Sequence, residues 1–351
     1  MYKFVKKEEK ITGIKCIDNN SYFTKKNNLV CDNENIIKDV EGFSFWLLDK
    51  GIYFHNNEGE EFFKRDNKNY KITYPFFVKS NLDYKVFCAV NYRRENRKWM
   101  WSLGLFDLTS LSLIKEFPFE NYTVESVVDN TSIGYFEKNK ISAFNIDNCK
   151  INWELDLATI FNSRLIHFIG VYENQLLIAC RNHLLLSVDI NTGEILHKWQ
   201  ELVGFEVGSL YKDVLPDLTN FVLDKQDSKL IGVFDTYYFE IDLNTKEISY
   251  YQLKEELSKY NIRSFRSFND NPFTSEYLFL TAHTFLKEVP NVNFSSVLSL
   301  NRKTKKVDWV HTFKDVGLGT NVPQITDTHL YILDLEGTLH IFEKEGEKES
   351  I

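Results

Sequence analysis

The chain has 351 residues, 43% hydrophobic and 26% charged, with only 15 Gly and 6 Pro, which excludes collagen-like and low-complexity polymers. Its formal net charge of −8 excludes a uniformly basic nucleic-acid footprint, so no nucleic-acid partner is expected. Aromatic residues reach 15%, with 29 Phe and 18 Tyr, and such side chains fit a pleated, half-buried surface, so strands are favoured.

No apolar run in the first residues suits a secretory leader, and no stretch is long enough to span a bilayer, so a cytoplasmic protein without membrane contact is expected. Five cysteines (Cys16, Cys31, Cys88, Cys149 and Cys180) are odd in number and never in a C-x-x-C arrangement. That pattern points to free thiols rather than to disulfides or zinc.

In chain order, residues 1–34 carry alternating stretches near Tyr2–Val5 and Ser21–Val30 but no recognisable hairpin repeat. The first repeat runs from Ile52 to Phe63 around His55. Next comes a polar, aromatic insertion from Asn91 to Trp101, read as a loop within a blade, and a hairpin around Asp107. Further copies centre on Asn145, Asp189, Asp242 and Asn301, and a truncated one ends at Glu343. The copy from Leu184 to Trp199, LLLSVDINTGEILHKW, is the clearest: it alternates, turns on Asp189 to Gly193, and alternates again. Residues 251–260 read as a short amphipathic helix, followed by an arginine-rich segment, Asn261–Phe268. The reference positions are spaced 52, 38, 44, 53, 59 and 42 residues apart, each enough for one four-stranded blade.

The expectation is therefore an all-β, seven-bladed β-propeller of four-stranded antiparallel blades, one domain over 1–351. The last copy lacks its second hairpin strand, so part of 1–34 should supply it and close the ring, with 345–351 a frayed tail. Each Asp or Asn should bond the backbone of the turn it opens. A Trp follows eight positions later at Trp153 and Trp309, with Tyr250 and Phe63 at the same offset and Trp199 two residues late.

This pattern, apolar-x-apolar-Asp-x-x-Thr-Gly-x-apolar-x-Trp, resembles the repeat of quinoprotein-type propellers, including a non-catalytic outer-membrane assembly lipoprotein. The resemblance implies a propeller whose terminal aromatics pack between blades. Quinone enzymology is not expected, because the enzymes of that group are periplasmic, eight-bladed and calcium-dependent, whereas this sequence shows no export signal and seven repeat copies.

No H-E-x-x-H, phosphate loop or nucleophile elbow occurs, so no catalytic, metal or cofactor residues are expected. His183 and His283 occupy equivalent repeat positions, assigned to blade loops, and ordinary loop polarity accounts for them better than convergence on a site. The candidate contacts for a protein partner are Arg93, Arg94, Arg97, Lys98, Trp99 and Trp101 in one insertion. Arg263, Phe265, Arg266 and Phe268 supply a second group. Arginine beside aromatics is the composition of interface anchors. The connection Glu201–Asn220, with Glu206, Asp213 and Asp217, is a further contact region. The reading is a monomeric, non-catalytic interaction module; a toxin-neutralising immunity protein is the sharper alternative. An enzyme, hydrolase or lyase, with a central-funnel site is the competing class.

Overall fold

The computed structural model describes all residues except 33, 49–50, 73–79, 83–84, 217–220, 267–271, 287–288 and 346–351. In chain order, β1 (Tyr2–Glu8) precedes a sheet of β2 (Ile11–Ile17), β3 (Asn20–Lys25), β4 (Asn28–Cys31) and β5 (Glu34–Lys38). A second sheet follows: β6 (Val40–Leu48), β7 (Gly51–Asn56), β8 (Glu61–Arg65) and β9 (Lys68–Ile72). The third is β10 (Ser80–Leu82), β11 (Lys85–Glu95), β12 (Lys98–Asp107) and β13 (Ser112–Glu120). The fourth comprises β14 (Thr123–Val128), β15 (Thr131–Glu137), β16 (Lys140–Asn145) and β17 (Ile151–Asp156), capped by helix α1 (Leu157–Phe161). The fifth has β18 (Leu165–Tyr172), β19 (Gln175–Cys180), β20 (Leu184–Asp189) and β21 (Ile195–Trp199), and a separate two-stranded hairpin β22 (Glu201–Val207)–β23 (Tyr211–Val214) follows it.

The sixth sheet holds β24 (Val222–Asp224), β25 (Lys229–Phe234), β26 (Tyr237–Asp242) and β27 (Ile248–Gln252). After helix α2 (Lys254–Ser258) comes the seventh, with β28 (Ile262–Phe265), β29 (Tyr277–Leu286), β30 (Val289–Asn301) and β31 (Val307–Phe313). The last is composite. β32 (Gln324–Ile325), β33 (His329–Leu333) and β34 (Leu339–Lys344) pair in sequence, and β1 adds to β34 as the fourth strand. Among the described residues there are thus eight four-stranded antiparallel sheets, not seven.

The miscount has a local cause. The hairpins β4–β5 and β8–β9 turn on two residues, at Asp32 and at Asp66–Asn67, instead of on the longer Asp-opened loop of the repeat. Strands β2 to β5, most of which lie within the segment 1–34 expected to close the ring, form a complete sheet of their own. The His55 copy is a real hairpin, but it joins β7 to β8, the second and third strands, whereas the other complete copies join third to fourth.

The repeat turn itself is built as its residues dictate. Oδ1 of Asp189 accepts from the backbone N–H of Asn191 at 2.8 Å and Thr192 at 2.9 Å. The N–H of Gly193 donates to the Asp189 carbonyl at 2.9 Å, closing the turn with φ of 75°. Asp107, Asn145, Asp242 and Asn301 make the same pair of side-chain bonds. Leu111, Cys149, Lys246 and Lys305 take the left-handed conformation that Gly193 adopts at lower steric cost.

The chain divides into two compact units, residues 44–217 and residues 1–43 with 218–351. In the first, neighbouring sheets pack face to face through apolar layers. One layer joins Trp153, Leu155 and Ile141 to Ile178, Leu186 and Val188, and another sets Phe87, Leu103 and Phe117 against Tyr122 and Phe144. Trp153 carries the joint. Its Nε1 donates to the Ile190 carbonyl at 2.8 Å, and its ring lies so close to Gly193 that a Cβ there would sit 2.7 Å from it. Glycine at 193 therefore eases the turn, and the docked indole leaves no room there for a Cβ.

The second unit repeats this arrangement. Trp309 packs with Phe279, Leu330 and Phe342, and its Nε1 donates to the Tyr2 carbonyl at 2.8 Å. Helix α2, inside the stretch read as helical, seats Leu257 in the layer between the sixth and seventh sheets. All five cysteines are unpaired thiols. Burial pushes Cys16, Cys88 and Cys180 up to about 12, so they stay protonated at neutral pH.

Candidate protein-interaction surface

The insertion Asn91–Trp101 is not a loop. β11 and β12 continue through it as a hairpin, with Arg94 opposite Trp99 and Glu95 opposite Lys98, turning on Asn96 and Arg97. Both turn residues have positive φ (47° and 66°), the backbone of a tight two-residue turn matched to strand twist. The pairing register shifts between Val90 and Arg93, where Asn91 is also left-handed. Upstream of that irregularity β11 is buried from Val86 to Val90, and from Asn91 to Glu95 every residue is exposed.

The side chains then divide by role. Arg93 is held by carboxylates, Nη2 to Glu120 and Nε to Glu95, both at 2.6 Å, and Glu120 and then Glu95 raise its pKa above the ordinary range. Trp101 is half-buried against the Phe119–Tyr122–Phe144 layer, and its backbone N–H donates to Asn121 Oδ1 at 3.1 Å. Trp99 is 64% exposed, with the Arg94 guanidinium 6.0 Å from its ring centre. Among the described residues no carboxylate pairs with Arg94, Arg97 or Lys98. The hairpin tip is thus a locally cationic patch around an exposed indole, on a chain of net charge −8.

The second predicted group lies in the other compact unit and is more structural. Phe265 is 5% exposed inside the core beside Ile262 and Leu280, so its ring is occupied by packing. Arg266 donates through Nη1 to Ser295 Oγ at 3.3 Å and through Nη2 to the Gly319 carbonyl, and burial lowers its pKa. Arg263 is exposed and stacks 5.4 Å from the Phe285 ring. Phe268 lies outside the described residues.

Other expectations redistribute as well. His283 sits within β29 opposite Ser295, not in a loop, and His183 lies in the β19–β20 turn with φ of 63°. Asp213 Oδ1 accepts from the Gly204 N–H at 2.7 Å, which holds the β22–β23 hairpin, and Glu206 is exposed on it. Asp217 is outside the described residues. That hairpin presents Val203 and Leu210, 82% and 79% exposed, which charge-led reading passed over. Their signal was two apolar residues beside Gly204 and Gly208, both with positive φ.

A cavity of about 410 Å³ bordered by His311, His340 and Asp334 is the one most like an enzyme site. Nε2 of His340 lies 2.8 Å from Asp334 Oδ2, and both side chains are buried. Asp334 Oδ1 also accepts the N–H groups of Glu336 and Thr338, at 2.9 and 2.8 Å, so it serves the β33–β34 turn. Burial, then the neighbouring His340 and Lys7, lowers the His311 pKa and keeps it neutral at pH 7. His183 and His283 do not border this cavity.

The chain's likeness to known proteins lies in its fold. No family model matches the sequence, and no curated protein matches it. Among solved structures, the C-terminal WD40 domain of Sif2 aligns over 99% of this chain and 99% of its own, with TM-score 0.59 and 11% identity. The computationally designed Ika8 protein aligns over 97% and 98%, with TM-score 0.58 and 10% identity. Sqt1 of Saccharomyces cerevisiae covers 98% of each chain, with TM-score 0.56 and 11% identity. The fold is a β-propeller. At these identities the likeness concerns architecture, and the propeller's chemistry has to be read from its own side chains. No helix is long and apolar enough to cross a membrane among the described residues.

Proposed function

We propose that this propeller is a non-catalytic protein-interaction module that engages an acidic protein partner through the β11–β12 hairpin tip. The observation that carries the reading is Trp99, exposed beside Arg94, with Arg97 and Lys98 adjacent and uncompensated by carboxylates. A large apolar side chain left in water gains on burial, and an arginine next to it can recognise a carboxylate through two parallel hydrogen bonds. The cationic tip on an acidic body also favours encounter with a negatively charged surface.

In this reading the chain works as one monomeric propeller domain, closed by the pairing of β1 with β34. Pairing of Tyr2 with Lys344 and the bond from Trp309 to the Tyr2 carbonyl support the closure. The Asp-opened turn and the docked Trp153 support descent from the quinoprotein-type repeat. Unpaired, protonated thiols support a cytoplasmic location.

The test is quantitative affinity capture with wild-type protein and with R94A/R97A/W99A, at matched thermal stability. Loss of specifically captured proteins from the variant supports the reading, and an unchanged captured set refutes it.

A further inference from the structure

A second site stands in the unit formed by residues 1–43 and 218–351, where the sixth and seventh sheets border a cavity of about 410 Å³. Its wall is made by the turn Asn301–Lys305 on one side and by β25, β26 and β27 on the other. Four cationic side chains border it, Lys229, Arg302, Lys303 and Lys305. Facing them are the carboxylates of Asp227 and Glu240, and Asp224 lies behind Arg302.

The pairing leaves positive charge over. Glu240 serves two lysines, Lys229 at 2.9 Å and Lys305 at 2.6 Å, and also accepts the Tyr238 hydroxyl at 2.9 Å. Arg302 takes both remaining acids, Asp224 at 2.5 Å and Asp227 at 3.2 Å. Lys303 has no carboxylate among the described residues, so the cluster carries one uncompensated cation.

Donor capacity is also in excess. Arg302 is 5% exposed, yet its buried Nε–H has no acceptor among the described residues. The hydroxyls of Tyr251 and Ser275, both on exposed residues, border the same cavity and add donors to its rim. Burial lowers the Lys305 pKa, with Glu240 acting the other way and the neighbouring Lys229 and Arg302 lowering it further. A buried donor without an acceptor costs stability, so such a group signals a missing acceptor.

We propose that this cavity binds a phosphate monoester group. A tetrahedral dianion offers several acceptor oxygens, matching a site rich in N–H and O–H donors with one cation to spare. Glu240, saturated by two lysines and a tyrosine, acts as the fixed counter-charge that keeps the lysines in place rather than as a competitor for the ligand.

Titration with inorganic phosphate and with phosphoserine, against sodium chloride of equal ionic strength, tests the proposal by calorimetry and by thermal shift. Wild-type protein should bind at least one of them and melt higher in its presence than in chloride. Lys303→Glu changes an exposed residue and should fold normally while losing at least about ten-fold in affinity. Binding of both probes alike points to free phosphate, and preference for phosphoserine points to the ester; either supports the site. No binding beyond the chloride effect, or equal binding by the folded Lys303→Glu protein, overturns it. The hairpin-tip residues are untouched, so the outcome is independent of the partner-binding test.

Discussion

Trp153 and Trp99 lie in the same compact unit and meet opposite fates. Trp153 is 7% exposed, bonded to the Ile190 carbonyl and pressed onto Gly193; Trp99 is 64% exposed on a hairpin that has outgrown its sheet. The first belongs to a repeated pattern whose partner is supplied by the next sheet, so its surface is consumed in the fold. The second breaks the pattern, and its surface remains available. In a repetitive scaffold, residues that obey the repeat hold the structure, and residues that depart from it are where to look for function.

That contrast can be broken most severely at the fourth strand of the composite sheet. Deleting Tyr2–Glu8 exposes the β34 edge and strips Trp309 of its acceptor, so it should cost more than any single substitution and broaden the thermal transition. A melt like that of the full chain would show that β1 is dispensable. Trp153→Ala comes next. It removes a docked indole and its hydrogen bond and should destabilise by about 3–5 kcal/mol in urea unfolding. A loss below about 1 kcal/mol would mean that the repeat aromatic is not what joins the sheets.

A smaller, pH-dependent effect is expected at Glu240. Burial pushes its carboxyl upward, but hydrogen bonds from Lys305 and Lys229 together outweigh that and hold it down at about 2, against an ordinary 4.5. A depressed carboxylate stabilises the fold above its unfolded pKa, and that contribution should fade as pH falls from about 4.5 towards 2. Glu240→Gln should lose stability at neutral pH and show a flatter dependence in that window. Parallel curves for the two proteins would remove Glu240 from the account.

The smallest effect should fall on the other side of the contrast. Trp99→Ala and Arg97→Ala should stay within about 0.5 kcal/mol of wild type, because neither side chain supports a buried neighbour. A larger loss would place the tip among the structural elements.

How much of this was legible beforehand follows from where each signal is stored. The Asp-opened turns, the tryptophans eight residues after Asn145 and Asn301, and the pairing of an N-terminal strand with β34 were visible, because side-chain-to-backbone bonding and unpaired strand edges demand particular residues. The eighth sheet was not, since the Asp32 and Asp66–Asn67 turns need only two permissive residues and leave no long motif. Arginine-with-aromatic composition found both candidate groups but could not separate their roles. Whether Phe265 points into a core and Trp99 into water depends on strand register and on hairpin length, which composition does not record. The Arg302 cavity was invisible because Asp224, Glu240 and Arg302 come from three separate segments of the chain.

The central claim is that the hairpin tip binds a partner without contributing to the fold. The measurement that bears on it most directly is affinity capture with R94A/R97A/W99A beside wild type, each first shown to unfold at the same temperature. The account predicts that proteins retained by the wild type, and released from it by moderate salt, are lost from the variant, each losing about 2 kcal/mol or more of binding. Retention of the same proteins with the same salt dependence would contradict it.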